Sequence, residues 1–173
     1  MDMLGLAYET RPSRIDEKTI REHNPVELTR KLAEAKAWKI ADECPDAVIV
    51  SGDAVVSKAE KIYEKPRSLA EATQFLGDLS GSEFQFVTSL AVIHSPTRRI
   101  LSDVGVSDIT FRPLLEREIE AYVNSYAVLN YAGAFESDAV LKFADRISGS
   151  YNFVTALPVS RLIVMLREQG VDI

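Results

Sequence analysis

The sequence contains little cysteine and histidine: its 173 residues include one cysteine, Cys44, and two histidines, His23 and His94. A single cysteine excludes an internal disulfide and a multi-cysteine metal site, and it is typical of a protein in a reducing cytosol. Neither histidine has a second ligand at metal-binding spacing, which disfavours a zinc site and a Ser-His-Asp triad. We therefore expect neither zinc chemistry nor a serine hydrolase.

Long apolar runs, a secretion signal and an excess of basic residues are also missing. No run of about 18 apolar residues occurs, and residues 1–12 lack the charged head and apolar core of a signal peptide. These features predict a cytoplasmic protein without a membrane partner. The 20 Lys and Arg against 26 Asp and Glu give a net charge of −6, which disfavours a nucleic acid polymer as partner. The P-loop and dinucleotide-binding glycine motifs are absent too.

The sequence does contain enough apolar residues for one domain. Hydrophobic residues make up 46% of residues 1–173, so we expect a single domain with its own core. Helical periodicity and capping residues predict helices, and apolar runs rich in β-branched residues predict strands of an α/β fold. The predicted helices cover residues 25–42, 114–126 and 159–169, together with one that starts at residue 69 and ends either at Gly77 or at the turn of residues 80–81. The predicted strands cover residues 47–50 and 84–93, and residues 100–111 are predicted to form one or two antiparallel strands interrupted at Gly105.

The stretch at residues 47–66 holds the first candidate site residues. Its apolar start predicts a buried strand that ends at residues 51–53. Ligands of open α/β sheets bind where strands end, so the carboxylate of Asp53 is a candidate catalytic group. An Asp beside a Gly is also typical of an ordinary hydrogen-bonded turn. Lys65 would come near Asp53 if the segment folds back, although most lysines are simply exposed.

Two further charged residues are candidates, each with a plain structural alternative. Lys36 lies on the packing side of the first predicted helix, a position that also suits a lysine whose stem covers the edge of the core. Glu17 follows Asp16, and such carboxylates suit Mg²⁺, which prefers one or two of them together with ligand phosphates. A solvated acidic turn is the alternative for this pair. The residues alone predict an acidic α/β domain with an Asp and Lys cleft.

Several short motifs resemble those of the Maf family and occur in the same order. They are PSRIDE at residues 12–17, LAEAKA at 32–37, SGDAVV at 51–56, EKP at 64–66, LAEATQFLGDLSG at 69–81, YAGAFESD at 131–138 and ISGSYNFVTALP at 147–158. The resemblance covers nearly the whole chain. Several motifs in register are far more specific than any one of them.

The resemblance implies a fold and an activity. Maf proteins are house-cleaning nucleoside triphosphate pyrophosphatases that are similar in fold to inosine triphosphatases. Their elongated mixed sheet forms two lobes with flanking helices and a nucleotide cleft between the lobes. They act on modified or non-canonical nucleotides, cut between the α and β phosphates, and release a nucleoside monophosphate and pyrophosphate. The resemblance therefore implies a hydrolase that binds a nucleoside triphosphate, uses Mg²⁺ or Mn²⁺ and forms a homodimer.

The resemblance also implies roles for four of the candidate residues. Asp53 would be the general base or the metal-assisted activator of the attacking water, and Glu17 would help to hold the metal. Lys36 and Lys65 would stabilise the negative charge that grows on the phosphates.

Base specificity is linked by the resemblance to the positions of Ala54 and Asp138. The branch associated with thymidine and uridine triphosphates has Thr and Gln there, and the branch associated with 7-methylguanosine triphosphate has Gln and an acidic residue. Ala54 matches neither branch, whereas Asp138 favours the second. An acidic side chain accepts hydrogen bonds from the edge of a purine.

One departure from the family bears on activity. The family begins with a strand and a Ser-x-Ser-Pro-Arg-Arg turn that grips the triphosphate, whereas residues 1–16 resemble the region after that turn. We therefore expect a sheet without the first strand and a site without this phosphate loop. HSPTRR at residues 94–99 looks similar to the loop, but its position predicts an exposed turn. A catalytically weak, nucleotide-binding regulatory protein linked to cell division is the alternative, and a truncated form of a longer chain is a third.

Overall fold

A computed structural model describes residues 4–136, 140–149 and 157–173 of the chain. The helices are α1 (Pro25–Glu43), α2 (Leu69–Leu79), α3 (Glu116–Ser125), α4 (Val140–Phe143) and α5 (Val159–Glu168), and the strands are β1 (Val48–Lys58), β2 (Lys61–Tyr63), β3 (Glu83–His94), β4 (Arg99–Phe111) and β5 (Ala144–Gly149). Short 3₁₀ turns occupy Glu17–Thr19, Val128–Asn130 and Ala132–Ala134. No helix in these described residues combines the length and apolar character that a membrane crossing requires.

Capping side chains fix the starts of the two helices that the sequence predicts most sharply. The side-chain oxygen of Asn24 accepts hydrogen bonds from the backbone amides of Val26 and Glu27, and Pro25 occupies the first turn of α1. The hydroxyl of Ser68 accepts from the backbone amide of Glu71 at the start of α2. These caps satisfy amide groups that have no partner within their own helix.

The five strands form one sheet in the order β2-β1-β3-β4-β5. Strand β1 pairs antiparallel with β2, and β4 pairs antiparallel with β5. A turn at residues 95–98 joins β3 to β4, and the amide of Ser95 donates to the carbonyl of Ala47 at 2.9 Å. The predicted α/β class is confirmed. The segment 94–99 forms the expected turn.

The prediction that the strand ends at residues 51–53 was wrong, because β1 continues to Lys58. Gly52 has no positive φ and lies in extended backbone, so it does not turn the chain. Val55 and Val56 beyond it are almost completely buried, and β-branched residues favour a continued strand. The turn comes at Ala59, whose φ is 52°. The interruption predicted at Gly105 is absent as well. Gly105, like Gly52, has no positive φ, and it lies within the unbroken strand β4.

The chain divides into two compact units, of which the first comprises Met1–Asp53, Ser89–Val104 and Pro158–Ile173. Its core is built from three alanines on one side of α1 that pack against Ala91 and Ile93 of β3. These alanines are Ala33, Ala37 and Ala41. Small side chains let the helix approach the strands closely. The side-chain amide of Gln169 donates to the carbonyls of Val92 and Arg99, which anchors the C-terminal end of α5.

The second unit comprises Ala54–Thr88 and Gly105–Leu157. Aromatic side chains dominate its core, and Phe111 packs edge-to-face on Phe84 with ring centroids 4.7 Å apart. Gly133 lies between Val56 and Phe135, with a φ of 68°. A Cβ at this position would lie 2.7 Å from Cγ2 of Val56, so only glycine fits without movement of a neighbour.

Candidate active site

Asp53 lies within β1, and its carboxylate is the most buried charged group of the candidate site. The side chain is 11% exposed, and its Oδ1 lies 2.6 Å from Nζ of Lys36. The backbone carbonyl of Asp53 accepts a hydrogen bond from the hydroxyl of Ser89 at 3.3 Å. A strand interior, rather than a strand end, therefore fixes the position of this carboxylate.

Lys36 comes from α1 and bridges two carboxylates. Its Nζ lies 2.6 Å from Asp53 and 2.9 Å from Oε1 of Glu17, and its side chain is 18% exposed. The neighbouring residues Ala33 and Ala37 are completely buried, so the helix face that carries Lys36 packs closely on its unit. The ammonium of Lys36 thus contacts two carboxylates. It does not simply extend into solvent.

Glu17 reaches Lys36 from the short 3₁₀ turn Glu17–Thr19. The side chain of Asp16 accepts from the backbone amide of Lys18 at 3.1 Å and caps this turn. Asp16 is therefore used locally, whereas Glu17 is the member of the acidic pair that faces Lys36. The side chain of Glu17 is 53% exposed, so it remains accessible to a ligand in solution.

The positive charge of Lys36 is secured by its partners. Burial alone would lower the pKa of the Lys36 ammonium, but the charge of Asp53 and the hydrogen bonds to Asp53 and Glu17 outweigh it and raise the pKa. Lys36 is therefore protonated at neutral pH. It can stabilise an anion, and it cannot act as a base near neutrality.

Two serine hydroxyls hold α1 against the strands of the first unit. The hydroxyl of Ser89, which is buried, donates to the carbonyl of Thr29 at 2.7 Å. The hydroxyl of Ser51 donates to the carbonyl of Ala33. Sequence reasoning missed both residues, although a serine inside an apolar strand is a usable signal that a buried polar partner is needed.

The carboxylates of Glu17 and Asp53 carry oxygen donors of the kind that a hard divalent cation prefers, and both contact Nζ of Lys36. Mg²⁺ is usually bound by one or two carboxylates, with water and ligand phosphates completing its shell. The described residues contain no group of three or more His, Cys, Asp and Glu side chains arranged around one point. Two carboxylates are fewer protein ligands than a closed, all-protein metal site uses.

The remaining candidates belong to the second unit or lie outside the described residues. Lys65 belongs to the second unit, is exposed after β2, and makes no hydrogen bond or salt bridge with the described part of the chain. The carbonyl of the preceding residue, Glu64, accepts from the amide of Gly133 at 3.2 Å, which ties this segment to the turn at Ala132–Ala134. Ala54 packs against the aromatic core of the second unit. Asp138 lies outside the described residues.

Comparison with known proteins identifies clear relatives. A family model with the description "Maf-like protein" matches residues 1–169. A protein of Desulforamulus reducens named "dTTP/UTP pyrophosphatase" is 33% identical over 171 residues, which cover 98% of this chain and 90% of the relative. A protein of Chromohalobacter salexigens named "7-methyl-GTP pyrophosphatase" is 35% identical over 174 residues, which cover 99% of this chain and 90% of the relative.

Proposed function

The chain belongs to the Maf family, and we propose that it is a nucleoside triphosphate pyrophosphatase that acts on modified or non-canonical nucleotides. One relative is named a dTTP/UTP pyrophosphatase and another a 7-methyl-GTP pyrophosphatase. These names support hydrolysis of a nucleotide in general. In the proposed reaction water cleaves the linkage between the α and β phosphates. The products are a nucleoside monophosphate and pyrophosphate.

The observation that carries this proposal is the ammonium of Lys36 held between Asp53 and Glu17. Hydrolysis of a triphosphate needs positive charge for the phosphates and a base or metal for the water, and it needs little covalent chemistry from the protein. The three residues supply these groups within one unit of the chain.

Each residue has a proposed role that its surroundings permit. Asp53, largely buried and anchored at 2.6 Å by Lys36, would accept the proton of the attacking water. Lys36, which stays protonated, would stabilise the negative charge on the phosphates. Lys65 is assigned to the phosphates as well, and this assignment rests on the resemblance of its EKP motif to the family.

A divalent metal, Mg²⁺ or Mn²⁺, is part of the proposal. Glu17 and Asp53 would hold it, and a bound metal would neutralise phosphate oxygens and acidify a water molecule. The lysine that lies between the two carboxylates would then turn its ammonium towards the phosphates.

The base specificity is assigned to Ala54 and Asp138. Ala54 is small, and its side chain packs on the core of the second unit, so it offers no hydrogen bond to a base. Asp138 is the position that favours 7-methylguanosine triphosphate, and a carboxylate there would accept from the purine edge. We also propose a cytoplasmic homodimer, for which sedimentation should give about twice the chain mass of 19.2 kDa, whereas a single-chain mass would contradict it.

Pyrophosphate release tests the proposed function. The purified chain is incubated with dTTP, UTP, 7-methyl-GTP and the common triphosphates, each with Mg²⁺, with Mn²⁺ or with a chelator. We expect metal-dependent release of pyrophosphate and monophosphate in equal amounts, fastest with 7-methyl-GTP. Release of inorganic phosphate and a diphosphate would place the cut at the wrong linkage and contradict the proposal. Binding without turnover would favour the regulatory alternative.

A further inference from the structure

A surface cavity of about 470 Å³ lies in the first unit, beside the segment that leads to Glu17. Its walls are one loop and the outer face of α1. The lining residues are Arg11, Pro12, Ser13, Arg14, Lys39 and Glu43. Three cationic side chains thus face one carboxylate, in a chain whose net charge is −6.

The cationic side chains differ in how far they are already neutralised. Nε of Arg11 donates to Glu9 at 3.0 Å, and its Nη1 donates to the sulfur of Cys44 at 3.2 Å. Lys39 pairs with Glu43 at 2.8 Å. Arg14 makes no hydrogen bond or salt bridge with the described residues, so all five of its N–H donors are available. Its charge nevertheless acts on Glu43, since Lys39, Arg11 and Arg14 together lower the pKa of that carboxyl.

Arg14 is also held in an unfavourable backbone conformation. Its φ is 52°, in the left-handed region that is unfavourable for a residue with a Cβ. Non-glycine residues in this region are uncommon, and they occur both in turns, as at Ala59, and at binding sites. The cavity therefore combines a guanidinium that donates no hydrogen bond within the described residues with a hydroxyl and a further ammonium.

We propose that this cavity binds a phosphate-class oxyanion. Guanidinium, ammonium and hydroxyl donors on different walls suit a tetrahedral anion with several acceptor oxygens better than they suit a planar carboxylate. The overall negative charge of the chain disfavours scattered anion binding, so binding here depends on the local cluster. This assignment stands on the cavity alone and is independent of the hydrolysis proposed above.

Both walls of the cavity belong to segments that also carry residues of the candidate site. The loop with Arg11 and Arg14 runs directly into Glu17, and Lys39 lies three residues after Lys36 on α1. An oxyanion in the cavity joins this loop to this helix. It thereby reinforces the arrangement in which Glu17 contacts Lys36 at 2.9 Å.

Titration of the full chain with inorganic phosphate, at constant ionic strength and followed by NMR, tests the proposal. The Nε–H resonance of Arg14 and the amides of residues 11–14 should shift and reach saturation. Arg14→Gln should weaken this binding about tenfold, the effect of one lost charge-assisted hydrogen bond. Lys39→Gln, on the opposite wall, should weaken it in the same direction. Arg117→Gln, the same substitution at an exposed position of α3, should leave it unchanged.

Three results would overturn the proposal. Shifts at residues 11–14 that grow without saturation would show only weak, general attraction of anions. Equal affinity in Arg14→Gln and the unchanged protein would remove Arg14 from the site. Saturable shifts confined to residues outside the cavity would place phosphate elsewhere. Because the readout is binding, none of these results depends on whether the chain hydrolyses a nucleotide.

Discussion

At the scale of single residues, Lys36 determines what the candidate site can do. Its ammonium touches two carboxylates that come from different elements, β1 and a 3₁₀ turn. A lysine in this setting remains charged, and each carboxylate keeps a cationic neighbour. Substitution at this residue therefore affects both the folding free energy and the chemistry.

The stability effect of Lys36→Gln follows from the burial of its partner. Removal of the ammonium leaves the carboxylate of Asp53, which is 11% exposed, without its 2.6 Å cationic contact. We expect the free energy of unfolding to fall by about 1–3 kcal/mol in urea denaturation. Lys31→Gln on the same helix is the control, because Lys31 and its partner Glu22 are far more exposed, and its effect should be much smaller than that of Lys36→Gln. Equal losses in the two variants would contradict this explanation.

At the scale of elements, two glycines differ in whether the surrounding structure has room for a side chain. Gly77 lies in α2 with open space at its Cβ position. Gly133 has a φ of 68°, and side-chain carbons of Val56 and Phe135 lie 2.7 and 2.9 Å from the place that a Cβ would take. The amide of Gly133 also donates to Glu64, one residue before Lys65. The same substitution therefore has opposite expected effects at the two glycines.

Gly133→Ala should lower the free energy of unfolding by about 1–3 kcal/mol, because the new methyl group overlaps Val56 and the backbone is strained. Gly77→Ala should raise it by about 0.5–1 kcal/mol through helix propensity. Thermal or urea unfolding of both variants measures this difference. A neutral Gly133→Ala would show that the turn at Ala132–Ala134 relaxes freely.

The elements also show what the sequence can and cannot predict. Capping chemistry is local, so the starts of α1 at Asn24 and α2 at Ser68 were predictable. The continuation of β1 through Gly52 was not, because a glycine allows both a turn and an extended strand and tertiary pairing decides between them. The contact of Lys36 with Glu17 and Asp53 joins three separate elements. Residue patterns indicated these residues as candidates, and only the fold brings them together.

At the scale of the whole molecule, two carboxylates with strongly lowered pKa values contribute to the pH dependence of stability in acid. Hydrogen bonds from the side chain and amide of Arg67 lower the pKa of Glu71 to about 2. Arg112 and the amide of Leu115 likewise lower the pKa of Glu118 to about 2. Both values lie below the ordinary 4.5, so the folded state binds fewer protons than the unfolded state at intermediate pH.

The stabilisation from these pairs should be complete above about pH 4.5 and should disappear as the pH falls towards about 2. The contribution of Lys36 changes with pH in the opposite direction. Because its pKa is raised in the folded state, it stabilises the fold below about pH 10.5, and this stabilisation is lost as the pH rises further. Urea denaturation at a series of pH values measures both limbs. Arg67→Gln combined with Arg112→Gln should flatten the acid limb, whereas Arg146→Gln, whose pair with Glu83 is exposed on both sides, should not.

The proposed activity depends most directly on Asp53, and its substitution gives the sharpest test. The rate of pyrophosphate release with metal is compared for the unchanged chain, Asp53→Asn and Asp46→Asn, a matched change at an exposed turn position before β1. Loss of a general base should lower kcat about 10²- to 10⁴-fold in Asp53→Asn, with Asp46→Asn unaffected. Equal rates in Asp53→Asn and the unchanged chain would contradict the assignment of Asp53 as the catalytic carboxylate.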